Sequence, residues 1–556
     1  MVKTNTIQVK ENSYYEKLNT KLKAKKTTIF WIILLSGILL SLLSFNARIS
    51  EAHDDALYIE AGYKYVHEFP NYYYTSNAPM YPMFLAVLTL IFGTNLIVFK
   101  LFSILFFALG ATIFYKAIDK KLPEILKIVA FSFICINYLV LYFASQTFSE
   151  PFYLLIQSIF LYYFSKYNFG ENPIGTDIKK DWKKWMVLGF LMMILTLAKN
   201  ILVFGIAAII LFYIIKKTYK KALFALVSFG VFKLLYELIK NMVWGKSAIQ
   251  YQSQMGILLN KDPYDASQGT EDLAGFFGRF FDNCNLYLSK RFFQLLGFMK
   301  EDSTNVYGLL AIIIISLVLV GLYYSIKNKN ELIMFMVLFA GTICFGTFFV
   351  LQARWDQPRF IMVHTPSLLL GIFYGLYIVF SKSNFNQRIV VLLISFVICS
   401  MLISSTKRAF ANLPIVSKNL KGDMYYGYTP DWQNYLKISR WCADSLPNTS
   451  LVACRKAPMS FVYAKGKHFY PIYSIIGKDP ETQQSNPDSA LAIFKRNHVT
   501  HVLIASLRMN PKFKTDDIIN TLHNIVGPIQ QKYPEKLILV KTMGDSEEAY
   551  IYKLNY

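Results

Sequence analysis

Charge is scarce in this chain. Only 17% of its 556 residues are Asp, Glu, Lys or Arg, against roughly 25% in an ordinary globular domain. Acids are the scarcer kind, 35 against 58 Lys and Arg. Cysteine is sparse as well. There are six, with no C-x-x-C pair and no zinc-type spacing, so the cysteines encode no metal cluster. Cys135, Cys344 and Cys399 fall in apolar runs; Cys284, Cys442 and Cys454 fall in polar ones. A Cys442–Cys454 disulfide stays open on this pattern. No internal repeat and no low-complexity tract is present, which counts against the repeat-built transporters. A cleavable signal is not expected: the basic tail is long, the apolar run after it is span length, and Asn46-Ala47-Arg48 is a poor cleavage site.

What fills the chain is apolar: 54% hydrophobic residues, 16% aromatic, and mean hydropathy +0.34. That composition indicates a polytopic α-helical membrane protein. In a soluble chain a net charge of +23 would raise nucleic acid as a partner. Here the lysines cluster between apolar runs, which is how membrane orientation is encoded, so no nucleic-acid partner is expected.

Residues 1–26 are polar and carry seven Lys. Eleven spans are expected near 27–45, 97–115, 124–143, 151–165, 186–198, 201–215, 222–243, 306–326, 332–351, 360–380 and 389–406, with an apolar, Pro-framed helix at 80–92. Together 27–406 form a membrane domain with polar outer loops at 46–79 and 244–305. A tail, 407–556, reads as an α/β domain with helices near Asp431–Leu446 and Asp488–Asn497. Its strands fall near Ser450–Cys454, Val499–Ala505, Lys536–Thr542 and Ala549–Leu554. Segments 1–26, 116–127, 166–185, 216–221, 327–331 and 381–388 hold 24 Lys and Arg; 46–100, 144–150, 199–200 and 352–359 hold six. The positive-inside rule puts the first set in the cytoplasm. An odd number of spans then puts the tail outside. A single helix over 186–215 would bury Lys199 at mid-membrane, so two short spans turning at Lys199-Asn200 are expected.

The polar residues most unusual for their setting then share the outer side. They are Asp54 and Asp55 after the first span, Glu150 in Ser149-Glu150-Pro151, Lys199, and Arg354 and Arg359 in Arg354-Trp355-Asp356-Gln357-Pro358-Arg359. A carboxylate there can accept a proton from a hydroxyl. Lys and Arg can bind a phosphate and stabilise it as it leaves. Together they suggest transfer of a group from a lipid phosphate to a hydroxyl. Each residue also has a plainer reading. Asp54 and Asp55 fit a solvated loop, and Glu150 a helix N-terminus. Lys199 could snorkel to headgroups, and the arginines could anchor anionic lipid or pair with Asp356. Tyr72, Tyr73 and Tyr74 suit an interfacial belt. Lys233, Glu237 and Lys240 share one face of the 222–243 run, which a transporter or flippase of a lipid-linked or anionic solute would explain.

At these residues the sequence resembles the GT-C superfamily of integral-membrane glycosyltransferases. The protein O-mannosyltransferases and the aminoarabinose transferases of lipid A are the nearest look-alikes. Their Asp-Glu-x-x-Tyr after the first span reads Asp54-Asp55-Ala56-Leu57-Tyr58 here. Their Ala-Pro-Leu-Tyr-Pro helix start reads Asn77-Ala78-Pro79-Met80-Tyr81-Pro82, and Thr-Glu-Pro reads Ser149-Glu150-Pro151. A Thr-Lys/Arg turn appears as Leu197-Ala198-Lys199, and the late Arg-Tyr-x-x-Pro as Arg359-Phe360 with Pro366 downstream. Asp55 replaces a Glu, Ala78 stands where some relatives have a phosphate-binding Lys, and Phe360 replaces a Tyr.

The resemblance covers about 27–406 and implies an inverting glycosyltransferase in a bacterial inner membrane, with its site and tail facing the periplasm. By it, Asp54 is the base and Asp55 a supporting carboxylate. Lys199, Arg359 and Arg354 meet the donor phosphate; Glu150, Tyr58, Asn77 and Tyr81 line the site. The implied donor is a polyprenyl-phosphate sugar, and the acceptor a glycan, lipid-linked saccharide or protein hydroxyl. Asp54, Asp55 and Glu150 could also hold Mg²⁺ or Mn²⁺. A polymerase or ligase of lipid-linked glycan is a third reading, against which the early Asp-Asp stretch argues.

Overall fold

The computed structural model describes residues 14–119, 122–248, 254–262, 265–300, 302–352, 355–382, 388–479, 482, 484–509 and 518–556. All eleven expected spans are helical. Six are long and apolar enough to cross a membrane: Lys26–Ser44, Leu96–Ile118, Tyr219–Ala248, Gly308–Lys327, Glu331–Val350 and Arg388–Leu420. Twenty helical residues cover about 30 Å, the thickness of the hydrocarbon core. A seventh is the pair Glu124–Ile136 and Tyr138–Ala144, bent by 49°. Asn137 makes that bend tolerable. Its backbone is extended, its side-chain oxygen accepts from Leu139 N and Val140 N, and its amide donates to Leu295 O. Freed backbone groups inside a membrane must be satisfied in this way. The other four expected spans, Ser149–Phe169, Ile178–Ala198, Val203–Ile215 and Thr365–Lys382, are helices too short or too polar to pass on length and composition alone. Among the described residues the count on that criterion is therefore six or seven, against the eleven expected.

The chain divides into two compact units. One comprises residues 1–45, 70–81 and 100–412; the other comprises 46–69, 82–99 and 413–556. The first is a helical bundle around a large aliphatic and aromatic cluster, with polar groups such as Lys100, Asn137 and Glu150 also buried in it. Small residues set some of its crossings. A Cβ on Gly321 would stand 2.1 Å from Gly371 O, so helices Gly308–Lys327 and Thr365–Lys382 meet backbone to backbone. The stretch 244–305, expected as a polar loop, is largely structured. It holds helix Leu273–Asn285, a π-helical turn Leu286–Arg291 and Phe292–Leu295. A short hairpin also lies there, β1 (Asn260–Asp262) with β2 (Asp265–Thr270).

The second unit contains a five-stranded sheet: β3 (Leu451–Cys454), β4 (Phe469–Pro471), β5 (Val499–Ile504), β6 (Leu537–Met543) and β7 (Ala549–Leu554), in the order β4-β3-β5-β7-β6. β3 runs parallel to β4 and β5; β7 is antiparallel to β5 and β6. Pro430–Ser445 and Pro487–Arg496 are the expected helices. Helices Ala457–Tyr463 and His523–Lys532 and strand β4 were not read from sequence. The helix at 523–532 contains Gly527-Pro528, which reads as a breaker. Cys442 and Cys454 are buried free thiols, so the disulfide left open on spacing is not formed. Helix Arg388–Leu420 continues past residue 407 without a break.

The same unit takes in Asp54–His67, and here the expected loop is a helix of 14 residues. Asp55, Ala56, Tyr58, Ile59, Glu60, Ala61, Gly62 and Tyr65 are all buried. Its polar letters hid it in the sequence, because its Glu60 pairs internally with Lys64 at 2.9 Å. Its outer face packs on helix Ala457–Tyr463, with the Tyr63 and Phe461 rings 5.0 Å apart.

Candidate active site

Within the helical bundle, three of the expected residues converge. Ser149–Phe169 begins at Ser149, which puts Glu150 in the first turn, where a carboxylate suits the helix dipole. Glu150 is only 3% exposed. The helix Ile178–Ala198 ends at Lys199, whose backbone turns extended before a 3₁₀ turn at Asn200–Leu202. From that break the Lys199 ammonium donates to Glu150 Oε1 at 3.0 Å and to Ser149 Oγ at 3.1 Å. Arg359 opens the short helix Arg359–Met362 and brings its Nη1 to 4.0 Å from the same Glu150 oxygen. Two cations thus share one buried carboxylate. A narrow apolar recess adjoins Glu150, lined by Phe107, Phe133, Val140, Leu154, Met362 and Pro366.

Other expected residues stand nearby or apart. Tyr81 is buried and packs its ring 5.7 Å from Phe152. Asn77 donates to Tyr74 Oη at 3.5 Å. Tyr73 bonds Tyr236 through their hydroxyls, so part of the expected aromatic belt is spent inside the bundle. Arg354 lies outside the described residues. Asp356 does not pair with Arg359. Lys290 at 2.8 Å and Arg291 hold it instead. Burial works to raise the Asp356 carboxyl, but those two bonds outweigh it and hold the group below the usual carboxylate range. Lys233, Glu237 and Lys240 close on one another along their own helix, 2.9 Å for Lys233–Glu237.

Two features of the bundle were not read from sequence. Lys100, wholly buried on Leu96–Ile118, donates to Gln146 Oε1 at 2.6 Å. His364, just before Thr365–Lys382, lies 2.9 Å by its Nε2 from Tyr153 Oη, which in turn donates to Gln157 at 2.6 Å. An isolated His or Lys in an apolar run carries no periodic signal that would single it out.

In the second unit, Asp54 and Asp55 start a helix, and their roles differ. Asp54 is half-buried. Asp55 is fully buried, and both its oxygens are engaged: Oδ2 accepts from Ser50 N at 2.8 Å, and Oδ1 from Ser50 Oγ and Ala56 N at 3.1 and 3.0 Å. Asp55 therefore shapes the turn that presents Asp54. Tyr58, one turn on, is buried. His53 precedes the helix in the left-handed region, φ 62°, an uncommon state for a residue with a Cβ. Burial, with Lys456 assisting, pushes the His53 imidazole down to about 4 against the pull of Asp54, so it is neutral at neutral pH.

Metal is poorly served by these residues. Among those described, no three His, Cys, Asp or Glu lie close enough to hold an ion. Asp55 and Glu150 are committed to the bonds above.

A model of the Alg9-like mannosyltransferase family matches residues 61–248, about a third of the chain, starting just past Asp54. No curated protein matches in sequence. Solved structures match over nearly the whole length. The archaeal oligosaccharyltransferase AglB from Archaeoglobus fulgidus, in complex with an inhibitory peptide and a dolichol-phosphate, is 12% identical with a TM-score of 0.55, covering 97% of this chain and 74% of its own. ArnT from Cupriavidus metallidurans, bound to undecaprenyl phosphate, is 10% identical with a TM-score of 0.54, covering 95% and 98%. Identities this low speak to fold. The chain has the polytopic fold, with a C-terminal domain, of the GT-C integral-membrane glycosyltransferases, and it is that superfamily which it resembles.

Proposed function

We propose that the protein is an inverting glycosyltransferase that moves a sugar from a polyprenyl-phosphate donor to an acceptor hydroxyl at the periplasmic face of a bacterial inner membrane. The observation that carries this reading is the pairing of Lys199 and Arg359 on buried Glu150 at a helix start, beside an apolar recess. Two cations on one carboxylate retain net positive charge for a phosphate. That AglB and ArnT were solved with dolichol-phosphate and undecaprenyl phosphate adds support from proteins of the same fold.

In this mechanism Asp54 takes the proton from the acceptor hydroxyl as its oxygen attacks the anomeric carbon. The bond from that carbon to the phosphate oxygen breaks, and its electron pair leaves on polyprenyl phosphate. Lys199 and Arg359 neutralise the departing charge; Glu150 holds the two cations in place. Arg354 is assigned to the same phosphate, and Tyr58, Asn77 and Tyr81 to the walls. The acceptor is a glycan, a lipid-linked saccharide or a protein hydroxyl.

The test is consumption of radiolabelled polyprenyl-phosphate sugars, one at a time, by the purified protein and its Asp54→Asn variant. A positioned base contributes about 10²–10⁴-fold, so the variant should lose at least that. A correctly inserted Asp54→Asn protein with near-normal turnover would sink the assignment.

A further inference from the structure

The stretch that leads into Asp54 is pinned along its backbone by side chains from far down the chain, in the same compact unit. Ala47 N donates to Asn419 Oδ1 at 3.1 Å. The Tyr428 hydroxyl donates to Ile49 O. The Lys456 ammonium donates to Glu51 O at 3.0 Å. Every second residue is held, and Asp55 ties down Ser50 between them. Arg48 is fixed too, its guanidinium 4.6 Å from the Tyr428 ring centroid.

Lys456 is an unexpected residue to find there. It is 9% exposed, follows the end of β3, and lies 5.6 Å over the Trp432 ring. Its own N–H bonds Tyr435 Oη at 3.1 Å. Burial first, then neighbouring Arg455, press its ammonium down to about 8; Asp54, Glu51 and Asp55 pull the other way. A buried amine is costly to keep, and a lysine kept at a cost in stability is retained for something else. Its three acidic neighbours all belong to the stretch that carries Asp54.

We propose that the tail, through Asn419, Tyr428 and Lys456, fixes residues 47–51 and so sets the position of Asp54, with Lys456 as a positioning residue for catalysis. This rests on Asp54 being the base. The pinned backbone keeps His53 in its left-handed state and so aims the first helical turn. The tail is then a part of the catalytic apparatus, whatever acceptor it also meets.

The experiment uses the full-length protein in detergent, as wild type, Lys456→Met, Lys456→Arg, Tyr428→Phe and Asp54→Asn. Amide hydrogen exchange over 46–56 needs no substrate. It should rise about three- to tenfold in Tyr428→Phe and Lys456→Met, the effect of one lost hydrogen bond. With the radiolabelled undecaprenyl-phosphate hexose that the wild type consumes, kcat should fall about tenfold in Lys456→Met while KM stays near wild type, as misplacement of the base requires. It should return in Lys456→Arg. Wild-type exchange in both variants overturns the clamp. An unmoved kcat in Lys456→Met, with Asp54→Asn inactive, overturns the positioning role of Lys456 alone. Wild-type turnover in Asp54→Asn overturns the base reading beneath it.

Discussion

Removing Lys199 should do two separable things, because its partner is buried and its proposed ligand is not protein. In Lys199→Met, Glu150 keeps Arg359 at 4.0 Å among the described residues, and the Ser149 hydroxyl loses the bond from Lys199. At 3.0 Å, an effective dielectric near 20 gives a gross attraction of about 5 kcal/mol. Desolvation of both groups offsets much of that, and Arg359 retains part of the rest. A net loss of about 2 kcal/mol follows, below the 3–5 kcal/mol for stranding a buried charge outright. Thermal unfolding in detergent should show it, and a double-mutant cycle with Glu150→Gln should recover most of it. Activity should behave differently. Loss of one group that stabilises developing charge costs about 10²–10³-fold, and Glu150→Gln should not restore it. If the double variant regains turnover along with stability, Lys199 is a structural partner of Glu150 and the phosphate assignment is wrong.

Four other outcomes can be checked. Asp55→Asn should reduce turnover less than Asp54→Asn while raising exchange at Ser50 and Ala56, since it loses bonds to the turn and no proton acceptor; equal losses with unchanged exchange would refute the split. Lys456 has a folded-state value of about 8, below its ordinary 10.5, so the unfolded chain binds more protons between those values. Stability should therefore rise with pH across that window, and Lys456→Met should flatten the rise. Gly321→Leu should destabilise the bundle by several kcal/mol, since Gly371 O leaves no room for a Cβ, let alone its branches; a wild-type melting temperature would refute the crossing. Reducing agent should leave the melting temperature unchanged, and maleimide should reach Cys442 and Cys454 only after unfolding.

Much of this architecture is legible in the sequence, for a simple reason. Apolar runs must be helices in a membrane, so all eleven segments are helical, although six or seven of them are long and apolar enough to span. The tail strands alternate or run apolar between turn signals, and β7 was read to the residue. Glu150, Lys199 and Arg359 could be named because charges are rare in apolar surroundings. Residues 46–79 and 244–305 were misread where helices are polar on several faces and are stabilised by partners distant in sequence. Lys456 could not be found at all: in a chain with 58 Lys and Arg, one more lysine in a polar tail is unremarkable.

The sequence by itself determined the class of the molecule, its helices, its orientation signal and the rare charges that stand out against hydrocarbon. These are local matters, set by a few consecutive residues and their solvent. Only the tertiary structure decided which charges pair. It alone put Lys199 and Arg359 on Glu150, gave Asp356 to Lys290 and Arg291, and turned Asp55 inward to Ser50. It alone placed Asn419, Tyr428 and Lys456 on the residues before Asp54, some 370 to 405 positions away in the chain. Pairing depends on which side chains the fold brings within about 3 Å, and no local pattern encodes a contact between residues so far apart.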